Sequence, residues 1–150
     1  MTTHSSPSRR KFLAVVGSSV AGAPLLGCSS AGQAPDPIGK VDAGLVGSYP
    51  VGSLEPVGTL PVAIGHDADG FYALTLTCTH QGCNMAQQGA VSGSGIVCHC
   101  HGSRFDATGH VLGGPALEDL THYAVTIDAA TGAVTIDGDT HVAATTRTAV

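Results

Sequence analysis

Residues 78–83 read Cys78-Thr79-His80-Gln81-Gly82-Cys83, and residues 98–106 read Cys98-His99-Cys100-His101-Gly102-Ser103-Arg104-Phe105-Asp106. Each segment offers one thiolate and one imidazole, Cys78 with His80 and Cys98 with His101. The spacings are Cys-x-His and Cys-x-x-His, with seventeen residues between His80 and Cys98. Each segment also holds one cysteine more than a four-ligand site needs, Cys83 and Cys100. A Cys2His2 set can hold zinc. Zinc fingers, however, keep their cysteine pair and histidine pair apart in sequence, and here the two types are mixed within each segment.

These segments resemble the two ligand loops of the Rieske family, whose [2Fe-2S] cluster has two cysteines on one iron and two histidines on the other. The resemblance implies that Cys78 and Cys98 bind one iron and that His80 and His101 bind the other. It also implies a disulfide between Cys83 and Cys100, as in the bc-complex branch, where such a bridge pins the two loops together. His99 then becomes a solvent-facing loop residue. Exchanging two thiolates for neutral imidazoles removes negative charge, so an added electron is held more tightly. Rieske potentials run from roughly −150 to +300 mV, against about −400 mV for plant-type ferredoxins. Reduction makes such a cluster more negative, which favours protons on its imidazoles, so electron uptake can be coupled to proton uptake.

The resemblance extends past the ligands. In high-potential relatives a serine after the second loop's His-Gly, and a tyrosine two residues further on, donate hydrogen bonds to sulfur. Ser103 matches the serine, while Phe105 stands at the tyrosine's place and has no hydroxyl. That implies a potential below that of members with both donors, which suits a low-potential quinol such as menaquinone. Gly113-Gly114-Pro115-Ala116 resembles the proline loop that covers the cluster. Leu117 follows where a second proline is usual, which implies a looser cover.

The rest of the chain reads as all-β. It has 150 residues, enough for one domain, with 21 glycines, 8 prolines, no tryptophan and 11% charged residues. This composition favours short strands and turns, with a core of Val, Leu, Ile and Ala. The expected architecture is a Rieske-type base of antiparallel strands, residues 41–139, with a small cluster-binding lobe, residues 78–116, inserted between strands. Residues 59–64 read as a strand, with Pro61 placing it at an edge. Residues 66–70 read as a hairpin turn, and residues 71–77, apolar and polar by turns, as the returning strand that delivers Cys78. Residues 95–97 lead into the second loop. Residues 104–106 and 110–112 form a hairpin about the turn 107–109, and residues 122–128 and 133–137 form another. Residues 140–150 read as a frayed tail, and His66, His110, His122 and His141 as surface histidines. No Ser-His-Asp or paired-carboxylate arrangement stands out.

Residues 1–28 read as an export signal. Ser8-Arg9-Arg10-Lys11-Phe12-Leu13 resembles a twin-arginine motif, and residues 13–26 form a weakly apolar run broken by Gly17, Ser18, Ser19, Gly22 and Pro24. A spanning helix needs ~20 predominantly apolar residues, so an uncleaved anchor is the weaker reading. Leu25-Leu26-Gly27-Cys28 resembles a lipobox. The loops use four of the five cysteines, and the fifth, Cys28, falls where a lipid-modified cysteine belongs. Twin-arginine export carries folded proteins, and the oxidising far side preserves a disulfide. Residues 29–40, rich in small residues and proline at their start, read as a flexible linker.

Cleavage before Cys28 leaves three basic against eleven acidic residues, a net charge of −8. This excludes nucleic acid as the expected partner, since phosphate binding needs clustered Lys and Arg, and favours a basic protein partner. The leading expectation is one-electron transfer by an exported, membrane-tethered protein, facing the periplasm or cell exterior. Its setting would be a quinol-oxidising respiratory complex with a c-type cytochrome or similar acceptor. The alternatives are the Rieske small subunit of an exported molybdenum oxidoreductase of the arsenite-oxidase kind, a ferredoxin for an oxygenase, and a zinc-stabilised binding module.

Overall fold

The computed structural model describes residues 38–150. The export motif, Cys28 and the linker up to residue 37 lie outside the described residues. In chain order the elements are β1 (Lys40–Leu45), β2 (Ser53–Pro56), β3 (Val62–Asp67), β4 (Gly70–Thr75), a one-turn helix α1 (Met85–Gln88), β5 (Gly89–Ser92), β6 (Gly95–Cys98), β7 (Arg104–Phe105), β8 (Val111–Gly113), β9 (His122–Ile127) and β10 (Ala133–Val142). They form a six-stranded sheet, ordered β1-β10-β9-β4-β3-β2, and a four-stranded sheet, ordered β5-β6-β7-β8. Every strand pairing is antiparallel, and the all-β expectation holds.

Strand β4 explains how the two sheets are joined. Its side chains alternate faces, as any strand's must. Phe71 and Ala73 face a cluster with Val62, Ile64, Tyr123, Val134 and Ile136. Tyr72 and Leu74, followed by Leu76 and Cys78, face the other way, toward Met85, Ile96, Cys98 and Phe105. All six residues of β4 are therefore buried, where the sequence reads as alternately apolar and polar. A strand covered on both faces has no solvent side for polar residues to mark. The small sheet lies between β4 and β9 in sequence, and those two strands pair directly at Ala73–Tyr123 and Leu74–His122. The lobe is thus an insertion between two neighbouring strands of the base.

Three expectations change. Pro61 does not mark an edge, because β3 is flanked by β2 and β4. Pro61 precedes the strand, so its missing N–H removes no ladder bond, and its carbonyl accepts from Leu76 N–H at 2.7 Å. Residues 140–150 are not frayed. Strand β10 runs on to Val142, and Thr148 exchanges two backbone hydrogen bonds of 2.9 Å with Phe71. Arg147 Nε donates to Asp67 Oδ2 at 2.6 Å, with its guanidinium 4.3 Å from the centre of the Tyr72 ring. Burial alone would raise the Asp67 carboxyl, but the Arg147 hydrogen bond and neighbouring backbone donors outweigh it and hold its pKa below the usual range. Finally, His122 is buried at 3% exposure, and His66 is half-buried, stacked 4.0 Å from Phe71.

His122 joins base to lobe. Its Nε2 meets the Thr108 carbonyl at 2.8 Å, and Tyr72 Oη donates to the Ala107 carbonyl at 2.9 Å. Burial pushes the His122 pKa below the imidazole norm, Arg147 pushes the same way, and Thr108, Asp106 and Asp119 oppose. The native state therefore prefers neutral His122, while the unfolded chain protonates it near the usual value of about 6.5. The resulting stability is complete above that value and is lost as pH falls toward the depressed native pKa. Urea midpoints measured from pH 7.5 down to pH 5 should fall more steeply in wild type than in His122→Gln. Parallel slopes would remove His122 as the cause.

Candidate metal centre

The two cysteine–histidine segments fold into the same kind of turn. In the first, Cys78 N–H donates to Cys83 O at 2.9 Å and Gly82 N–H to Cys78 O at 2.8 Å. In the second, Cys98 N–H donates to Ser103 O at 2.8 Å and Gly102 N–H to Cys98 O at 3.0 Å. Both turns place a glycine in the left-handed region, Gly82 at φ 75° and Gly102 at φ 80°, where other residues are strained. Strand β4 and its extension deliver the first turn, and β6 delivers the second.

The turns bring the expected donors together. Cys78 and Cys98 are unbridged and buried, at 2% and 1% exposure. The His80 and His101 rings are 4.8 Å apart, edge to face at 81°. His101 is exposed, His80 half-buried. Cys83 and Cys100 are joined by a disulfide with Cα atoms 6.7 Å apart. Cys98 Sγ and the two bridge sulfurs all lie within 4.8 Å of one another. The bridge sulfurs have no thiolate to offer, so this closeness shows the bridge packed against the Cys98 side of the site. His99 is exposed.

These residues fit a metal cluster on three counts. His80 Nδ1 is buried with no hydrogen-bond partner, a costly state for a ring nitrogen unless it binds something else. Burial raises the Cys98 thiol pKa, and the adjoining Cys78 side chain adds to the rise. Two neighbouring buried thiols become thiolates readily only beside a strong local cation. The backbone N–H groups of Cys100 and His101 oppose that rise. Sequence reasoning missed these backbone donors, since any residue type supplies them.

The surrounding residues close the site. Ser103 is fully buried, and its Oγ accepts from Ala116 N–H at 3.1 Å, leaving the hydroxyl proton for another acceptor. Thr79 Oγ1 donates to Glu118 O at 2.8 Å. Segment 113–116 is thus tied to the second turn and followed by a tie to the first. Gly114, at φ 97°, lies so close that a Cβ would sit 2.6 Å from Ser103 Cα. Gly114 and Pro115 are themselves exposed. Phe105, 1% exposed, packs in the core beside Cys78, Cys98 and Leu76.

The fold and its paired cysteine–histidine turns are those of an iron–sulfur domain. Residues 51–124 match the family described as Rieske [2Fe-2S] domain. The chain carries a Rieske domain, whose cofactor is one [2Fe-2S] cluster. It is 41% identical over 58 residues to the cytochrome b6-f complex iron-sulfur subunit of Synechococcus sp. (strain WH7803), a match over 39% of this chain and 32% of the relative. It is 33% identical over 92 residues to that of Prochlorococcus marinus (strain NATL1A), a match over 57% of this chain and 51% of the relative. The chain thus spans between about a third and about half of these relatives. Among solved structures, a chain from the complex of reduced oxygenase and oxidized ferredoxin in carbazole 1,9a-dioxygenase aligns with TM-score 0.50 and 26% identity. That alignment covers 69% of this chain and 97% of the other. No helix among the described residues is long and apolar enough to cross a membrane.

Proposed function

We propose that this protein transfers single electrons as the iron–sulfur subunit of a quinol-oxidising complex. Cys78 and Cys98 would hold one iron and His80 and His101 the other. The observation that carries this is the convergence of two buried thiols and two close imidazoles on twin turns clamped by a disulfide. The cluster, when bound, takes up and releases one electron. The protein's residues do the rest. The exposed His101 ring marks the side from which a partner approaches. The backbone N–H groups of Cys100 and His101 favour negative charge on the Cys98 sulfur, and with the cluster bound they would favour its reduced form. Ser103 is placed to do the same, held by Ala116 and shielded from water.

Phe105 sets a limit on that tuning. It supplies packing next to Cys98 but no hydroxyl. In protein-film voltammetry Phe105→Tyr should raise the midpoint and Ser103→Ala should lower it. An unchanged Phe105→Tyr midpoint, with the cluster intact, would show that the missing donor does not matter.

The quinol-oxidising setting is supported by the b6-f relatives. We also propose twin-arginine export and acylation of Cys28 after cleavage. A second reading, a ferredoxin serving an oxygenase, is favoured by the near-complete overlap with a chain of the oxygenase–ferredoxin complex. One experiment separates them. The tagged chain is purified from detergent-solubilised membranes of its source, then read for b-type haem and intact mass. Co-purifying haem b, with loss of residues 1–27 and added lipid, is the expected result. Recovery from the soluble fraction with an oxygenase would establish the second reading.

A further inference from the structure

The small sheet has a second face, turned away from the candidate centre. Ala90, Val97 and Arg104 are successive cross-strand partners on β5, β6 and β7. They alternate with the inward residues Val91, Ile96, Cys98 and Phe105, so they share the outward side. Leu112 lies at the β7–β8 register shift and is 61% exposed. With Ser92 and Ser94 these residues line a shallow cleft of about 360 Å³.

The Arg104 side chain is exposed and, among the described residues, makes no hydrogen bond or ion pair. It is the small sheet's only Lys or Arg. Lys40 lies on β1, at the far edge of the other sheet, and Arg147 is held by Asp67. The Arg104 head lies over Gly113, where a Cβ would stand 3.4 Å from Nη2. The cleft therefore runs up to the start of segment 113–116, which is tied to the second turn through Ala116. A lone exposed leucine or a solvated arginine is ordinary. Here a guanidinium with no partner borders a concave strip of Ala, Val and Leu on an otherwise acidic chain. Arginine beside apolar surface is typical of the centre of protein interfaces, and its planar fork matches a carboxylate with two parallel hydrogen bonds.

We propose that this cleft is a docking surface for a redox protein that presents a carboxylate flanked by apolar side chains. Val97 faces the cleft, while Cys98, the next residue on β6, faces the candidate centre. A partner seated there is separated from Cys98 by the thickness of one strand layer. The docking site rests on the electron-transfer reading for the redox nature of its partner.

The test uses isotope-labelled holoprotein, oxidised, with cluster content checked by visible absorption. The probe is the capped tripeptide acetyl-Leu-Asp-Leu-amide, compared with acetyl-Leu-Asn-Leu-amide. Amide shifts at Val97, Arg104 and Leu112 should follow the aspartate peptide. The asparagine peptide should bind about fivefold more weakly, as expected for ~1 kcal/mol from an exposed charge contact. Arg104→Gln should erase the difference between peptides, and Leu112→Ser should weaken both. Equal binding of the two peptides, shifts centred elsewhere, or no shifts with the cluster in place would overturn the docking site alone. Protein that binds no cluster under iron-replete expression would instead overturn the electron-transfer reading.

Discussion

Reduced protein carrying His80→Ala or His101→Ala is expected to lose completely the low-g-average EPR signal of a two-histidine [2Fe-2S] centre. The rings sit 4.8 Å apart on separate turns, and His80 Nδ1 is buried without a partner. Neither role can be taken over by a neighbour. His99 is exposed and its backbone N–H is bonded to Gln88 O at 2.9 Å, so His99→Ala should keep the full signal. Replacement by cysteine tests the chemistry separately. If His80→Cys with His101→Cys assembles a cluster, its potential should drop toward the about −400 mV of plant-type ferredoxins. Full signal in either alanine variant would refute the ligand assignment. Stoichiometric zinc without iron would point to a binding module.

Removing the Cys83–Cys100 bridge should have the next largest effect. The bridge closes a loop of 17 residues in sequence separation, worth about 3 kcal/mol in the chain-entropy account. It also joins the two turns beside Cys98. Its loss therefore acts on the folded lobe as well as on the unfolded chain. In Cys83→Ser with Cys100→Ser, visible absorption should bleach earlier on heating and iron should pass to a chelator faster. The base should unfold close to its wild-type midpoint, since its own core of Val62, Ile64, Phe71, Tyr123 and Ile136 does not touch the bridge. If cluster lifetime is unchanged, the bridge does not clamp the site.

Much of the centre was legible in the chain. Donor types at short fixed spacings, and a glycine four residues after each leading cysteine, are local features. A turn of six residues needs no distant partner to declare itself. The turn at residues 66–70 and the hairpin from β9 to β10 were legible for the same reason. The spacer was not. Residues 84–94 hold α1 and β5, but four-residue elements have no periodicity to read. Helix α1 exists because Asn84 caps it, accepting from Ala86 N–H at 3.0 Å, and because Met85 is buried in the lobe core.

What stayed hidden depends on partners remote in sequence. Residues 140–150, rich in threonine and alanine, show no apolar period, and they are ordered by Phe71, Asp67 and Tyr72, which lie far upstream. His122 looks like any scattered histidine until β9 sets it under the turn at Thr108. Pro61 looks like an edge marker because proline cannot donate, yet it only precedes a central strand. The chain alone pointed to the four candidate ligands, because ligand chemistry is carried by side-chain type and spacing, and the resemblance of those two segments to a known family implied the class of domain and its cofactor. Only the folded protein decided that β4 is buried on both faces, that the C-terminal segment seals the base, and that Arg104 stands unpaired over an outer cleft. Those are outcomes of which surfaces meet, and that is settled by packing over the whole chain.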